Sequence, residues 1–268
     1  MTNEGHVDIV RERTLSGHQF GVIAVAVTPD GQRRVSASWD RTLKLWDLVS
    51  GRELRTLSGH TGLVAGVAVI PDGQRAVSAS GDNTLKVWDL ASGCERRTLS
   101  GHTGLVTGVA VTPDGRRAVS ASGDMTLKVW DLDSGLELRI LAGHTSYVNA
   151  VAVTPDGQLV VSASWDKTLR VWDLDSGLEL RILSGHTSYI NAVAVTPDGQ
   201  RAVSASWDKT LKEWDLASGR ELRTLFGHSD SVRAVAVTPD GQWAVSASSD
   251  NTLKVWHLAS ERRSVRGS

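Results

Sequence analysis

Residues 59–100 read GHTGLVAGVAVIPDGQRAVSASGDNTLKVWDLASGCERRTLS. The Gly-His pair that opens this stretch recurs every 42 residues without insertion, from Gly17-His18 to Gly227-His228. A fixed period of this length is typical of repeat architectures, in which each repeat is one supersecondary unit. The chain is therefore one unit written six times, over residues 17–58, 59–100, 101–142, 143–184, 185–226 and 227–258.

Each unit is predicted to form four β-strands. The segments between turn residues are short and rich in Val, Leu, Thr and Trp, which favours strands over helices. In the first unit we expect strands at about residues 20–28, 33–38, 42–47 and 53–57. Every proline lies in a Pro-Asp-Gly turn, where it interrupts no ladder. Strands this apolar need cover on both faces, which stacked sheets provide.

Two further residues mark every unit. An Asp recurs at Asp40, Asp82, Asp124, Asp166, Asp208 and Asp250, and a Trp at Trp46, Trp88, Trp130, Trp172, Trp214 and Trp256. Together with Gly-His and Pro-Asp-Gly, these residues resemble the WD-repeat β-propeller family over residues 11–258, in the highly repetitive form seen in prokaryotes. The resemblance implies an all-β fold, a six-bladed propeller of four-stranded antiparallel blades.

The chain ends predict how the ring closes. Residues 11–15 match the run 53–57 that precedes the next Gly-His, whereas the sixth unit stops soon after its Trp. The N-terminal strand would then complete the last blade and leave no open sheet edge. We expect one domain over residues 1–268, closed as a monomer. The alternative is an open, swapped or larger ring completed by a second chain.

Composition limits the function classes. Lys and Arg number 29 against 30 Asp and Glu, so the near-neutral charge gives no reason to expect nucleic acid or an anionic membrane as a partner. Cys94 is the single cysteine, so an internal disulfide is impossible. Neither a leader nor an apolar run of membrane-spanning length is visible, and we expect a cytoplasmic protein.

Each unit also contains a His, a Ser and an Asp, which invites a nucleophilic triad. Six identical catalytic sites would be odd, and the family resemblance implies a buried hydrogen-bonded network instead, from the Trp indole to Ser, His and Asp. Ser38 lies on the same strand face as Ser36, so the hydroxyl could be either. The network residues implied are His18, Ser36, Asp40, Trp46, His60, Ser78, Asp82, Trp88, His102, Ser120, Asp124, Trp130, His144, Ser162, Asp166, Trp172, His186, Ser204, Asp208, Trp214, His228, Ser246, Asp250 and Trp256.

Motifs for phosphate, zinc and redox chemistry are missing from the sequence. The histidines occur once per unit, which spreads them around the ring instead of converging them on a metal. We therefore expect no enzyme, no cofactor and no metal. One departure stands out, since Glu213 replaces an aliphatic strand residue. A buried carboxylate needs a partner, so we expect a basic residue beside it or access to solvent.

Function is then sought where the units differ. The residue before the Asp, and the residues three and five after the His, lie at turns and strand starts near one face of the ring. In units four and five they form two copies of an aromatic and amide cluster, of the kind that protein contact sites favour. The candidate partner-binding residues are Trp39, Tyr147, Asn149, Trp165, Tyr189, Asn191, Trp207 and Arg233.

The main hypothesis is a protein-interaction scaffold that binds a peptide or a partner domain around the channel mouth. Rings with such similar repeats resemble those of bacterial multidomain signalling proteins. A second hypothesis is recognition of a small ligand, a modified peptide or a glycan by the aromatic rings. A third reading is neutral, because units four and five differ at only nine of 42 positions and recent copying alone would double the cluster.

Overall fold

The computed structural model describes residues 13–258, and every regular element in that range is a β-strand. Twenty-three strands form six sheets. The first sheet contains β1 (Val22–Val27), β2 (Arg33–Ser38), β3 (Thr42–Asp47) and β4 (Glu53–Ser58). The second contains β5 (Val64–Val69), β6 (Arg75–Ser80), β7 (Thr84–Asp89) and β8 (Glu95–Ser100). The third contains β9 (Val106–Val111), β10 (Arg117–Ser122), β11 (Thr126–Asp131) and β12 (Glu137–Ala142).

The remaining three sheets repeat this plan. The fourth contains β13 (Val148–Val153), β14 (Leu159–Ser164), β15 (Thr168–Asp173) and β16 (Glu179–Ser184). The fifth contains β17 (Ile190–Val195), β18 (Arg201–Ser206), β19 (Leu211–Asp215) and β20 (Glu221–Leu225). The sixth contains β21 (Val232–Val237), β22 (Trp243–Ser248) and β23 (Leu253–His257). In the first unit the predicted strands agree with the observed ones to within two residues.

Each sheet is an antiparallel meander in which consecutive strands pair. The first and second strands of a blade shift register near the start of the first strand, as between Val22 and Ala24. The turn between them closes on the Pro-Asp-Gly glycine, and Gly31 has a φ of 69°, which glycine adopts without the steric cost of a Cβ. These turns lie at one end of each blade. At the opposite end, the turn between the second and third strands lies beside the loop that enters the first strand.

The hydrophobic core lies between neighbouring blades. Five buried clusters each join one blade to the next. In the first of them, Leu43 and Leu45 of one blade pack with Val64 and Trp88 of the next. Because successive side chains of a strand point to opposite faces, every inner blade contributes to two clusters. The apolar character of both strand faces thus follows from stacking.

The two end blades differ from the inner ones. Within residues 13–258, no buried cluster joins the sixth blade to the first, and β23 has no fourth strand beside it. Arg13 donates a hydrogen bond to the Val49 carbonyl, and Leu15 lies close to Gly51. Residues 11 and 12 of the expected closing strand lie outside the described residues. Closure of the last blade by residues 11–15 therefore stays a prediction.

Glu213 is buried in β19 and paired, as expected. Arg201 Nη1 lies 2.6 Å from Glu213 Oε1, and Arg223 Nε lies 2.5 Å from Oε2. The same two guanidinium groups donate to the carbonyls of Leu258 and His257 in the sixth blade. The carboxylate therefore holds two arginines that fasten the end of the last blade to its neighbour.

Candidate functional site

One hydrogen-bonded network recurs inside the blades, and the third blade shows its geometry. The Trp130 indole N–H donates to Ser120 Oγ at 2.9 Å, and Ser120 Oγ lies 2.7 Å from His102 Nε2. His102 Nδ1 lies 2.8 Å from Asp124 Oδ2. A neutral imidazole that donates from Nδ1 and accepts at Nε2 satisfies every group in this chain.

The same chain of contacts is present in all six blades, through Ser36 and its five counterparts. Ser38 has a different role, since its hydroxyl donates to the Phe20 carbonyl and accepts from the Asp40 N–H. Each serine of the strand thus has its own partner. The network links the second and third strands of one blade to its entry loop and to the turn that carries the Asp, which rigidifies the sheet.

The electrostatics of this network suit a structural role. Burial raises the pKa of the Asp124 carboxyl, but hydrogen bonds from Thr126, His102 and the Thr103 backbone outweigh burial and lower that pKa to about 2. Burial lowers the pKa of the His102 imidazole below its ordinary value, and Asp124 opposes that shift. Near neutral pH the pair is therefore a carboxylate beside a neutral imidazole. The Ser120 hydroxyl is fully buried and bonded to both the indole and the imidazole.

The variable positions meet at one end of the blades. In every blade the N–H of the residue before the Asp donates to the carbonyl of the residue three after the His, as Trp165 does to Tyr147 and Trp207 to Tyr189. The two hairpin ends that carry these positions are therefore side by side. The structure brings the variable residues of blades four and five into one surface, which we call the aromatic stack: Tyr147, Trp165, Tyr189 and Trp207.

The rings of the aromatic stack contact one another in succession across two blades. The centroids of Tyr147 and Trp165 are 5.1 Å apart, and those of Trp165 and Tyr189 are 5.1 Å apart with an interplanar angle of 18°. Tyr189 meets Trp207 edge to face at 5.3 Å. Both tyrosines are exposed, whereas the two tryptophans are half-buried between their neighbours. The surface offered to solvent is thus continuous and aromatic.

A cation ends the aromatic stack on the side of the sixth blade. The Arg233 guanidinium carbon lies 5.0 Å from the Trp207 ring centroid, and Arg233 Nε donates to Ser249 Oγ at 2.7 Å. On the opposite side the residues are Leu63 and Leu105, and a side chain at Gly123 would meet Leu105 and Tyr147. The face therefore changes along the blades from aliphatic to aromatic to cationic.

The two asparagines support the rings instead of pointing freely to solvent. Asn149 Nδ2 donates to the Asn191 carbonyl at 2.8 Å, and Asn191 Nδ2 donates to the Val232 carbonyl at the same distance. Asn191 Oδ1 also accepts from Trp207 Nε1 at 2.7 Å. In contrast, Trp165 Nε1 is buried without an acceptor among the described residues. The amides therefore join neighbouring blades and fix Trp207.

Trp39 belongs to a different part of the face. It is exposed in the first blade, where it lies against Gly21 and lines a shallow cavity with Phe20. Phe20 and Ser249 are not among the candidate residues predicted from the sequence. Phe20 is an exposed ring beside Trp39, and Ser249 positions Arg233. The signal for both was their position, because Ser249 aligns with Trp207 and Phe20 replaces the small or acidic residue of the other units.

Within residues 13–258, no three His, Cys, Asp or Glu side chains converge in a way that could hold a metal ion. The same range contains no helix long and apolar enough to cross a membrane.

Fold and repeat residues together define a class of protein. The family model "WD domain, G-beta repeat" matches six times, over residues 10–47, 51–89, 93–131, 135–173, 177–215 and 219–257. The chain therefore belongs to the WD-repeat family, and the predicted all-β fold with six blades is confirmed. Each match from the second onward starts two residues before the outer strand of one blade and ends in the third strand of the next.

Two curated relatives align over about one repeat. Cross-pathway control WD-repeat protein 2 of Flammulina velutipes is 48% identical over 44 residues, which are 16% of this chain and 14% of that protein. Small ribosomal subunit protein RACK1 of Caenorhabditis elegans is 49% identical over 43 residues, which are 16% of this chain and 13% of that protein. The alignments thus span about a seventh of these relatives.

Proposed function

We propose that this WD-repeat protein is a non-catalytic scaffold that docks an extended peptide or a partner domain on the blade face carrying the aromatic stack. The observation that carries the proposal is the unbroken succession of rings from Tyr147 to Trp207, ended by Arg233. Large rigid rings and arginine are the residues most enriched at the centres of protein interfaces, because they bury much area at little entropic cost.

Several features support a structural role for the residues that resemble a catalytic triad. The His, Ser and Asp groups of each blade are engaged with one another and with the indole, in six equivalent copies.

One relative is named as a component of the small ribosomal subunit, so that protein is part of an assembly. The proposal for this chain includes a cytoplasmic location and a place in a bacterial multidomain signalling protein, with neither nucleic acid nor a cofactor as ligand.

The arrangement of the rings favours protein docking over a small ligand. Arg233 already occupies the face of Trp207, where a cationic ligand would bind, and the other rings cover one another. What remains exposed is a broad surface of ring edges and faces. A peptide or domain covers such a surface, whereas a glycan or a modified side chain needs an enclosing pocket.

The test is affinity capture with the 268-residue protein as bait, followed by titration of the captured partner against variants. The paired substitution Trp165→Ala and Trp207→Ala should weaken binding by about tenfold or more, since central aromatic residues carry most interface energy. Arg233→Glu should also weaken binding while leaving the rings in place.

Leu178→Ala is the control, because Leu178 is an exposed apolar side chain of the fourth blade in the connection between β15 and β16, at the end of β15 opposite the Trp165 turn. Its affinity should equal that of the wild type. Partner binding that survives both the paired substitution and Arg233→Glu would refute the site. Quenching of tryptophan fluorescence by free glycans or modified peptides, with no protein captured, would favour the second hypothesis.

A further inference from the structure

The first blade presents an apolar face that has no cover in the described structure. Val22 is 56% exposed, whereas its counterparts in the other five blades are fully buried. Those counterparts are Val64, Val106, Val148, Ile190 and Val232. Each is buried because the preceding blade packs on it. The first blade is therefore built to receive a preceding blade.

The sixth blade presents the complementary face. Leu253 is 70% exposed and Val255 is 63% exposed. Their counterparts are at most 2% exposed: Leu43, Leu85, Leu127, Leu169 and Leu211 for the first, and Leu45, Val87, Val129, Val171 and Glu213 for the second. Burial of a large aliphatic side chain stabilises by about 1.5–3 kcal/mol, so association that covers these two faces would gain free energy from each of the exposed aliphatic side chains.

The two faces also match at their rims, by which we mean the repeat positions of Arg75, at the start of the second strand, and of Asp133, in the turn after the third strand. At two inner interfaces a rim residue of one blade pairs with a rim residue of the next, as Arg75 does with Asp133 and Arg117 with Asp175. In the repeat alignment the same two positions at the open ends are Trp243 and Val49. Val49 is 73% exposed and Trp243 is 40% exposed. Where the inner rims pair charges, the end rims would pair two apolar side chains.

The N-terminal segment already lies where a preceding blade would end. Arg13 donates to the Val49 carbonyl, as Arg139 does to Asp175 and Arg181 to Ala217 from the outer strands of their blades. Leu15 approaches Gly51 as Leu57 approaches Gly93. The first blade therefore has the outer strand position of its missing neighbour filled and the three inner positions empty. The sixth blade has three inner strands and no outer one.

We infer that the sixth blade of one chain docks on the first blade of a second copy, with Trp243 packed against Val49. His257 holds the Trp243 ring edge to face at 4.7 Å, which presents it at the rim. The contact is head to tail, so two copies joined reciprocally form one ring of twelve blades, and a geometry that does not close extends into a filament.

A second copy fits the structure better than closure within one chain. The five inner interfaces are packed to near-zero exposure. Close-packed interiors resist adjustment, so bringing both ends of one chain together would disturb interfaces that are already formed. A second chain covers both end faces and changes none of them.

The test is sedimentation velocity of the 268-residue chain from about 1 to about 100 μM, a range that brackets micromolar association. The wild type should sediment as two copies or more. Trp243→Arg in one sample and Val49→Asp in another should each weaken self-association by about tenfold or more, as expected for a central interface residue. Both side chains are exposed in the single chain, so neither substitution should impair folding.

The decisive sample is the equimolar mixture of the two variants. Mixing creates one Arg–Asp rim pair like that of Arg117 and Asp175, and one native Trp–Val pair, so association should return. Closure within one chain offers no such rescue. Trp165→Ala serves as the control and should associate like the wild type. A wild type that is monomeric throughout, a mixture that stays monomeric, or loss of association in Trp165→Ala would overturn the inference.

Discussion

Ser120→Ala tests whether the buried network stabilises the propeller. The substitution removes the acceptor of the Trp130 indole N–H and the partner of His102 Nε2, at 2.9 and 2.7 Å. Leaving a buried polar group unsatisfied costs about 1–3 kcal/mol, so two such groups predict a loss of about 2–6 kcal/mol. Ser120 and Trp130 are buried in the third blade, so bulk water does not solvate the groups left unpaired.

The measurement is urea unfolding followed by tryptophan fluorescence, with the midpoint and the slope fitted together. Ser134→Ala is the control, because that serine lies in an exposed turn after β11 and its loss should cost far less. A double-mutant cycle with Trp130→Phe adds the sharper criterion. Once the indole N–H is gone, Ser120→Ala should cost less than in the wild type. A loss below about 0.5 kcal/mol, or strictly additive substitutions, would refute the reasoning.

Acid should lower the melting temperature in two stages. Because folding depresses the pKa of His102, stability should fall as the pH drops below about 6.5, and because folding also depresses the pKa of Asp124, stability should fall further below about pH 4. A melting temperature that stays constant between pH 7 and 4 would contradict this prediction. Glu213→Gln should destabilise by about 1–3 kcal/mol because charge-assisted bonds to two arginines are weakened, and Glu213→Val should cost at least as much in the same urea assay because neither arginine keeps its partner at that position. A near-neutral Glu213→Val would exclude this account. Gly157→Ala should lower the free energy of unfolding by about 1–2 kcal/mol because the φ of Gly157 is 72°, while Gly21→Ala should be tolerated because an added Cβ would meet no atom closely. Equal unfolding midpoints for the two variants would show that the positive φ does not determine the cost.

Repetition made the fold predictable from the sequence. Six copies of the same spacing average out local ambiguity, so the strand bounds of the first unit were placed to within two residues. The sequence predicts Ser36 in the network but does not exclude Ser38, because both point to one strand face and only their partners separate them.

The site was less predictable, for a physical reason. The sequence indicated that Tyr147, Trp165, Tyr189 and Trp207 share a face, but ring contacts depend on rotamers and on the angle between blades. It also placed Asn149 and Asn191 among the candidate partner-binding residues, whereas both side chains donate to carbonyls of the next blade. Trp39 has the same position in its repeat as Trp165 and Trp207, but it lies in the first blade, apart from the aromatic stack.

The likeness of the five blade-to-blade interfaces has a kinetic consequence. A blade that has just folded finds several nearly equivalent docking surfaces, on its own chain and on others, so the energy difference between correct and incorrect neighbours is small. The few side chains that vary at the rims, such as the Arg75–Asp133 pair, are then the main features that distinguish one blade interface from another. Refolding at high protein concentration should trap misassembled chains, and yield should depend on dilution more than on temperature.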